Sequence, residues 1–135
     1  MDKGAMPTPA FATLSLAEAH TERAPDGSMA RVLARLPGAS MAQFELEAGR
    51  VSRAVVHRTI DEIWYVIGGR GELWRRQPLQ EETVALAPGM CLTIPCGTEF
   101  QFRALGVEAL RVLGVSLPPW PGEGEAAPVT GPWIG

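Results

Sequence analysis

Apolar and polar positions alternate along most of this chain, in short runs broken by glycine and proline. Residues two apart on a strand share a face. The alternation therefore predicts strands near 29–36, 41–47, 51–57, 62–67, 71–76, 82–86, 90–94, 98–103 and 108–117. Pro37, Pro78, Pro88 and Pro95 fall between these runs or at their ends, where no ladder hydrogen bond is lost. No long helical pattern separates the runs, so the prediction is an all-β sandwich or jelly-roll barrel. Within it, Arg53, Val55 and His57 share one face, and Glu62, Trp64 and Val66 form a second such set. A paired hairpin between the two runs would bring His57 to Glu62. Gly68, Gly69 and Gly71 read as a tight strand connection needing positive φ, not as a phosphate loop, because no helix follows.

The ends of the chain look different. Residues 1–27 form a Pro/Ala-rich N-terminal extension, in which Ser15 and Glu18 have the spacing of a capping box. His20 would then lie on the surface without a partner. Residues 118–135 form a Pro/Gly-rich C-terminal arm with four prolines between Pro118 and Pro128. That density forbids a ladder strand and favours an extended arm. Trp120 and Trp133 are expected to pin it to the outer face of the barrel or to a partner subunit; the alternative is a lid over a cavity.

Composition narrows the class. The chain has 135 residues, 46% hydrophobic and 20% charged, which describes one soluble globular domain. A net charge of -3 with scattered Lys and Arg offers no nucleic-acid groove and no pull toward anionic membranes. The apolar runs are too short to span a bilayer. Asp2 and Lys3 precede a Pro/Ala/Thr mixture without the apolar core of a secretory signal, so the expected location is cytoplasmic. Cys91 and Cys96 flank Pro95 in a geometry awkward for a disulfide, and both read as reduced, buried, small hydrophobes.

Two fragments then carry the chemistry, 49–69 and 89–104. In the first, Gly49 is followed by Val55, His57, Glu62 and Gly69; in the second, Gly89 is followed by Pro95, Gly97, Phe100 and Ala104. This spacing resembles the two motifs of the cupin superfamily, G-x5-H-x-H-x3,4-E-x6-G and G-x5-P-x-G-x2-H-x3-N. The resemblance covers about residues 28–117 and implies a single-domain cupin-type jelly-roll β-barrel. Small cupins often pair, so it also implies a homodimer. In the family, three histidines and a glutamate at the barrel mouth hold a metal. Here His57 and Glu62 stand at two of those four positions, while Val55 and Phe100 replace two histidines.

No metal cofactor is therefore expected. The alternative is a divalent transition metal (Fe, Mn, Ni or Zn) held by His57, Glu62 and Glu99, which needs a bulge after Gly97 to turn Glu99 inward. Without metal, His57 and Glu62 form a titratable pair in which mutual attraction favours the charged state and burial opposes it. The pair is the candidate catalytic set for acid–base work on a small carbonyl or hydroxyl compound. By resemblance, metal-free epimerases, isomerases and cyclases of the superfamily use such a pair. Arg53, Val55, Trp64, Phe100 and Phe102 are the candidate ligand-binding residues. A non-catalytic binding or sensing cupin and an atypical metal-dependent oxygenase or isomerase are the other two classes.

Overall fold

The computed structural model describes residues 7–135 and realises the alternation as two antiparallel sheets. Asp2 and Lys3 lie outside the described residues. The strands are β1 (His20–Arg23), β2 (Met29–Leu36), β3 (Ala39–Leu46), β4 (Val55–His57), β5 (Asp61–Gly68) and β6 (Arg70–Gln77). They continue as β7 (Gln80–Leu86), β8 (Cys91–Ile94), β9 (Glu99–Leu105), β10 (Leu110–Leu117) and β11 (Ala126–Pro128). One sheet has the order β1-β2-β3-β10-β5-β8 and the other β11-β4-β9-β6-β7. The fold is the predicted jelly-roll sandwich.

β5 shows why the pattern was informative. Glu62, Trp64, Val66 and Gly68 are buried, and Asp61, Ile63, Tyr65 and Ile67 are exposed. Its inward face meets Leu73 of β6, Phe100 and Phe102 of β9 and Val112 of β10 to form the core between the sheets. Burying each large apolar side chain contributes roughly 2–3 kcal/mol. The Trp64 ring stands edge-on to Phe102 at 5.0 Å and to Phe100 at 5.9 Å. Across β10, Gly114 leaves the room that Phe44 occupies beside Trp64, because a Cβ there would collide with the Phe44 ring. Gly69 has φ +76°, and a Cβ would strike the Ala109 carbonyl, so the β5–β6 connection admits only glycine.

Four expectations change. β1 extends the six-stranded sheet from within the N-terminal extension, and its His20 meets Glu22 at 3.2 Å. All four β1 residues are exposed, so no alternation marks them. The run expected over 51–57 is a ladder strand only at Val55–His57; Val51 makes a single bridge to Arg103. The C-terminal arm does form a strand, β11, which pairs with β4 as the sheet edge. An edge strand tolerates Pro128 because it pairs on one side only. Cys91 and Cys96 are both free and exposed rather than buried. On β8 the inward positions belong to Leu92 and Ile94, and Cys96 sits in the following turn with its thiol toward the Arg58 carbonyl at 3.2 Å. The Ser15–Glu18 capping box is present, on a single 3-10 turn over Leu16–Glu18.

Candidate functional site

His57 ends β4 and Glu62 lies in β5, but these strands belong to different sheets. The two residues meet across the sandwich, not along a paired hairpin as the sequence suggested. The turn 58–60 carries the chain from one sheet to the other, and its backbone donors would be costly to bury without partners. Glu125, from the C-terminal arm, supplies them. Its carboxylate accepts from the Thr59 N–H at 2.8 Å, the Ile60 N–H at 3.1 Å and the Thr59 hydroxyl. Its backbone carbonyl accepts from the Arg58 N–H at 3.0 Å. Burial acts to raise the Glu125 pKa, but the Thr59 and Ile60 donors, with His57, outweigh it and hold the group low.

His57 Nδ1 stands 3.3 Å from Glu62 Oε1, and both side chains are buried. The alignment closes no good hydrogen bond, and Nδ1 has no other partner among the described residues. Burial lowers His57 to about 4, against a small upward pull from Glu125. Burial, and next the charge of Asp26, pushes Glu62 up to about 8; the Trp64 indole and the Ser116 hydroxyl act against the rise, and Glu125 adds to it. Desolvation thus wins over mutual attraction, and at neutral pH the pair is an uncharged imidazole beside an uncharged carboxyl.

The pair opens on a cavity of about 170 Å³ between the sheets. Phe44, Val55, Trp64 and Trp120 make much of its apolar wall, and Asp26, Ser40 and Ser116 add polar atoms. Trp120 reaches it from the arm, with its ring edge-on to His57 at 5.5 Å. The Trp120 N–H donates to Ser40 Oγ at 2.9 Å, and its carbonyl accepts from Arg35 Nη1 at 2.9 Å. Trp133 does the other job expected of the arm. Gln101 Nε2 donates to the Trp133 carbonyl at 2.8 Å, Gln101 Oε1 accepts its N–H at 3.1 Å, and Arg103 lies 4.4 Å over the ring. One tryptophan closes the cavity and the other pins the arm to the outer face of β9.

Among the candidate ligand-binding residues, Val55 and Trp64 are in the cavity wall. Phe100 and Phe102 are not, because both are fully buried behind it; Phe100 packs edge-on against the His57 ring at 5.1 Å. Arg53 is exposed and outside the cavity, donating to the Pro25 carbonyl at 3.3 Å. Glu99 faces outward, where both its oxygens bind Arg76, at 2.7 and 3.3 Å, so the alternative set of His57, Glu62 and Glu99 does not assemble. No bulge is needed after Gly97, since Phe100 and Phe102 keep the inward register opposite Arg75 and Leu73. A transition metal does not fit the residues present. Val55 and Phe100 offer no donor, the Phe100 ring crowds His57, and no group of three ligating side chains occurs among the described residues. The contributions of Asp26, Glu125, Arg35 and Ser40 escaped the sequence reading, because each comes from a segment remote from His57.

Two facing antiparallel sheets with a His–Glu pair at an interior cavity define a small-barrel protein of the double-stranded β-helix kind. The cupin domain profile matches residues 42–116, and the chain belongs to the cupin family. Solved structures agree on the architecture. KdgF from Halomonas sp. is 22% identical, with 79% of this chain and 94% of that chain covered and a TM-score of 0.67. Streptomyces PAC13, in a structure with uridine, is 15% identical over 90% of this chain and 92% of that chain, with a TM-score of 0.71. Oxalate decarboxylase OxdC from Bacillus subtilis is 16% identical with a TM-score of 0.75; 95% of this chain spans only 35% of that one. No curated protein sequence matches significantly. Likeness at these identities speaks for the fold. No helix among the described residues is long and apolar enough to cross a membrane.

Proposed function

We propose that this cupin binds a small, partly apolar compound beside His57 and Glu62 and moves a proton on it without a metal, as an isomerase, epimerase or cyclase does. The observation that supports this most is the opposite displacement of the two groups, His57 down to about 4 and Glu62 up to about 8. At neutral pH an uncharged base then stands beside a protonated acid, which is how environments divide acid and base roles. The cavity of about 170 Å³ limits the ligand. A dry cavity of ~150 Å³ admits benzene, so roughly six to ten non-hydrogen atoms fit here.

The test is exchange of substrate C–H protons with heavy water, followed by NMR over a panel of small hydroxy and carbonyl compounds chosen by thermal shift. Exchange that disappears in both His57→Gln and Glu62→Gln supports catalysis. Binding without exchange leaves the binding or sensing reading, which the apolar Val55 and Phe100 favour. The partner this proposal includes is a second copy of the chain in the cytoplasm. The outer face of β5 suits it, since Ile63, Tyr65 and Ile67 are 41%, 47% and 37% exposed. Sedimentation of a Tyr65→Lys variant, expected to be monomeric, tests that surface.

A further inference from the structure

The cavity carries two buried acids, neither of which forms an ion pair with a lysine or arginine among the described residues. Glu62 and Asp26 are both buried in its wall. Asp26 uses only Oδ1, which accepts from Ser28 N at 2.8 Å and Ser28 Oγ at 2.6 Å, and its other oxygen meets no donor among the described residues. Glu62 is approached only by the neutral Trp64 indole and Ser116 hydroxyl, and the charge of Asp26 is felt at it. Burial raises Asp26 as well, against Ser28 and Arg53. The other charged side chains around the site direct their hydrogen bonds elsewhere. Glu22 pairs with His20, Glu125 holds the 58–60 turn, Arg35 binds the Trp120 carbonyl, and Arg53 binds the Pro25 carbonyl. Two buried nitrogens beside Glu62, Trp64 Nε1 and His57 Nδ1, close no well-aligned hydrogen bond, so the polar groups of the wall are incompletely satisfied.

We propose that the cavity takes a small organic cation, with its ammonium group between Glu62 and Asp26 and its carbon body against Phe44, Trp64 and Trp120. Two nearby carboxyls cannot both ionise in a dry cavity, and a cation between them offsets the repulsion and lets Glu62 release its proton. Phe44 and Trp64 stack at 6.2 Å, and aromatic walls favour such a cation through their ring quadrupoles. A neutral ligand could accept or donate hydrogen bonds there but would give neither carboxyl a counter-charge. The proposal rests on the site of the acid–base reading, and with a cation bound Glu62 becomes the counter-ion beside His57.

Calorimetric titration of the full chain with choline tests it, against the neutral alcohol in which a tert-butyl group replaces trimethylammonium. Choline is expected to bind at least ~10-fold more tightly than the alcohol. Glu62→Gln and Asp26→Asn, which keep size and hydrogen-bonding oxygen, are each expected to weaken choline by about 10-fold and the alcohol by less than about twofold. Thermal melts establish that both variants fold. Equal or tighter binding of the alcohol overturns the cation while leaving the acid–base reading intact. Binding of neither compound, or choline binding indifferent to both variants, overturns it as well.

Discussion

Replacing Glu62 by glutamine isolates the cost of keeping a carboxyl in this cavity. Folded, Glu62 ionises at about 8, against 4.5 when exposed. Between those values the folded chain holds a proton that the unfolded chain has released, so stability falls as pH rises. His57 acts with the opposite sign. Its folded value of about 4 lies below the exposed 6.5, so stability rises with pH across that interval and is level above it. The two effects partly cancel below 6.5. From 6.5 to about 8 only Glu62 of the pair changes. That window is about one and a half pH units at ~1.4 kcal/mol each, or about 2 kcal/mol. Asp26, also raised by burial, contributes a loss of the same sign in both proteins. Urea unfolding of wild type and Glu62→Gln at several pH values reads the difference directly. Wild type should lose about 2 kcal/mol relative to the variant across the window. Curves that stay parallel within extrapolation error would refute burial as the force that keeps Glu62 protonated.

Other consequences are equally direct. A Val55→His, Phe100→His double variant restores donors at two positions beside His57 and Glu62; near-stoichiometric zinc or manganese by elemental analysis is expected in it and not in wild type. Metal retained by the wild-type chain would contradict the fit described above. Gln101→Ala strips the partners from Trp133 and from the Ser52 carbonyl. It should cost roughly 1–3 kcal/mol and speed proteolysis of the arm. Gly69→Ala forces an L residue into φ +76° against the Ala109 carbonyl. A loss of at least ~2 kcal/mol, read as a lower melting temperature, is expected.

How much of this was legible in the sequence depends on distance along the chain. Ile63, Tyr65 and Ile67 alternate with Trp64 and Val66, and a strand buried on one face must show that alternation. The run 62–67 was therefore plain, as were the glycine–proline frames that placed His57 and Glu62. Hidden from such reading were β1, whose His20–Arg23 is polar throughout, and β11, whose Pro128 argues against a ladder. Each joins a sheet as an edge strand, and edge pairing is set by what the rest of the sheet offers.

The sequence by itself determined the repeating strands, the inward Trp64, and the absence of histidine at positions 55 and 100, because these follow from periodicity and residue chemistry. Only the tertiary structure decided what surrounds the pair. It brings Glu125 to the 58–60 turn across 65 positions and Trp120 to Ser40 across 80. It leaves Glu99 with Arg76 outside, and it buries Glu62 beside Asp26. Protonation depends on solvent exclusion and on neighbouring charge, and both are properties of the packed sandwich rather than of any local run of residues.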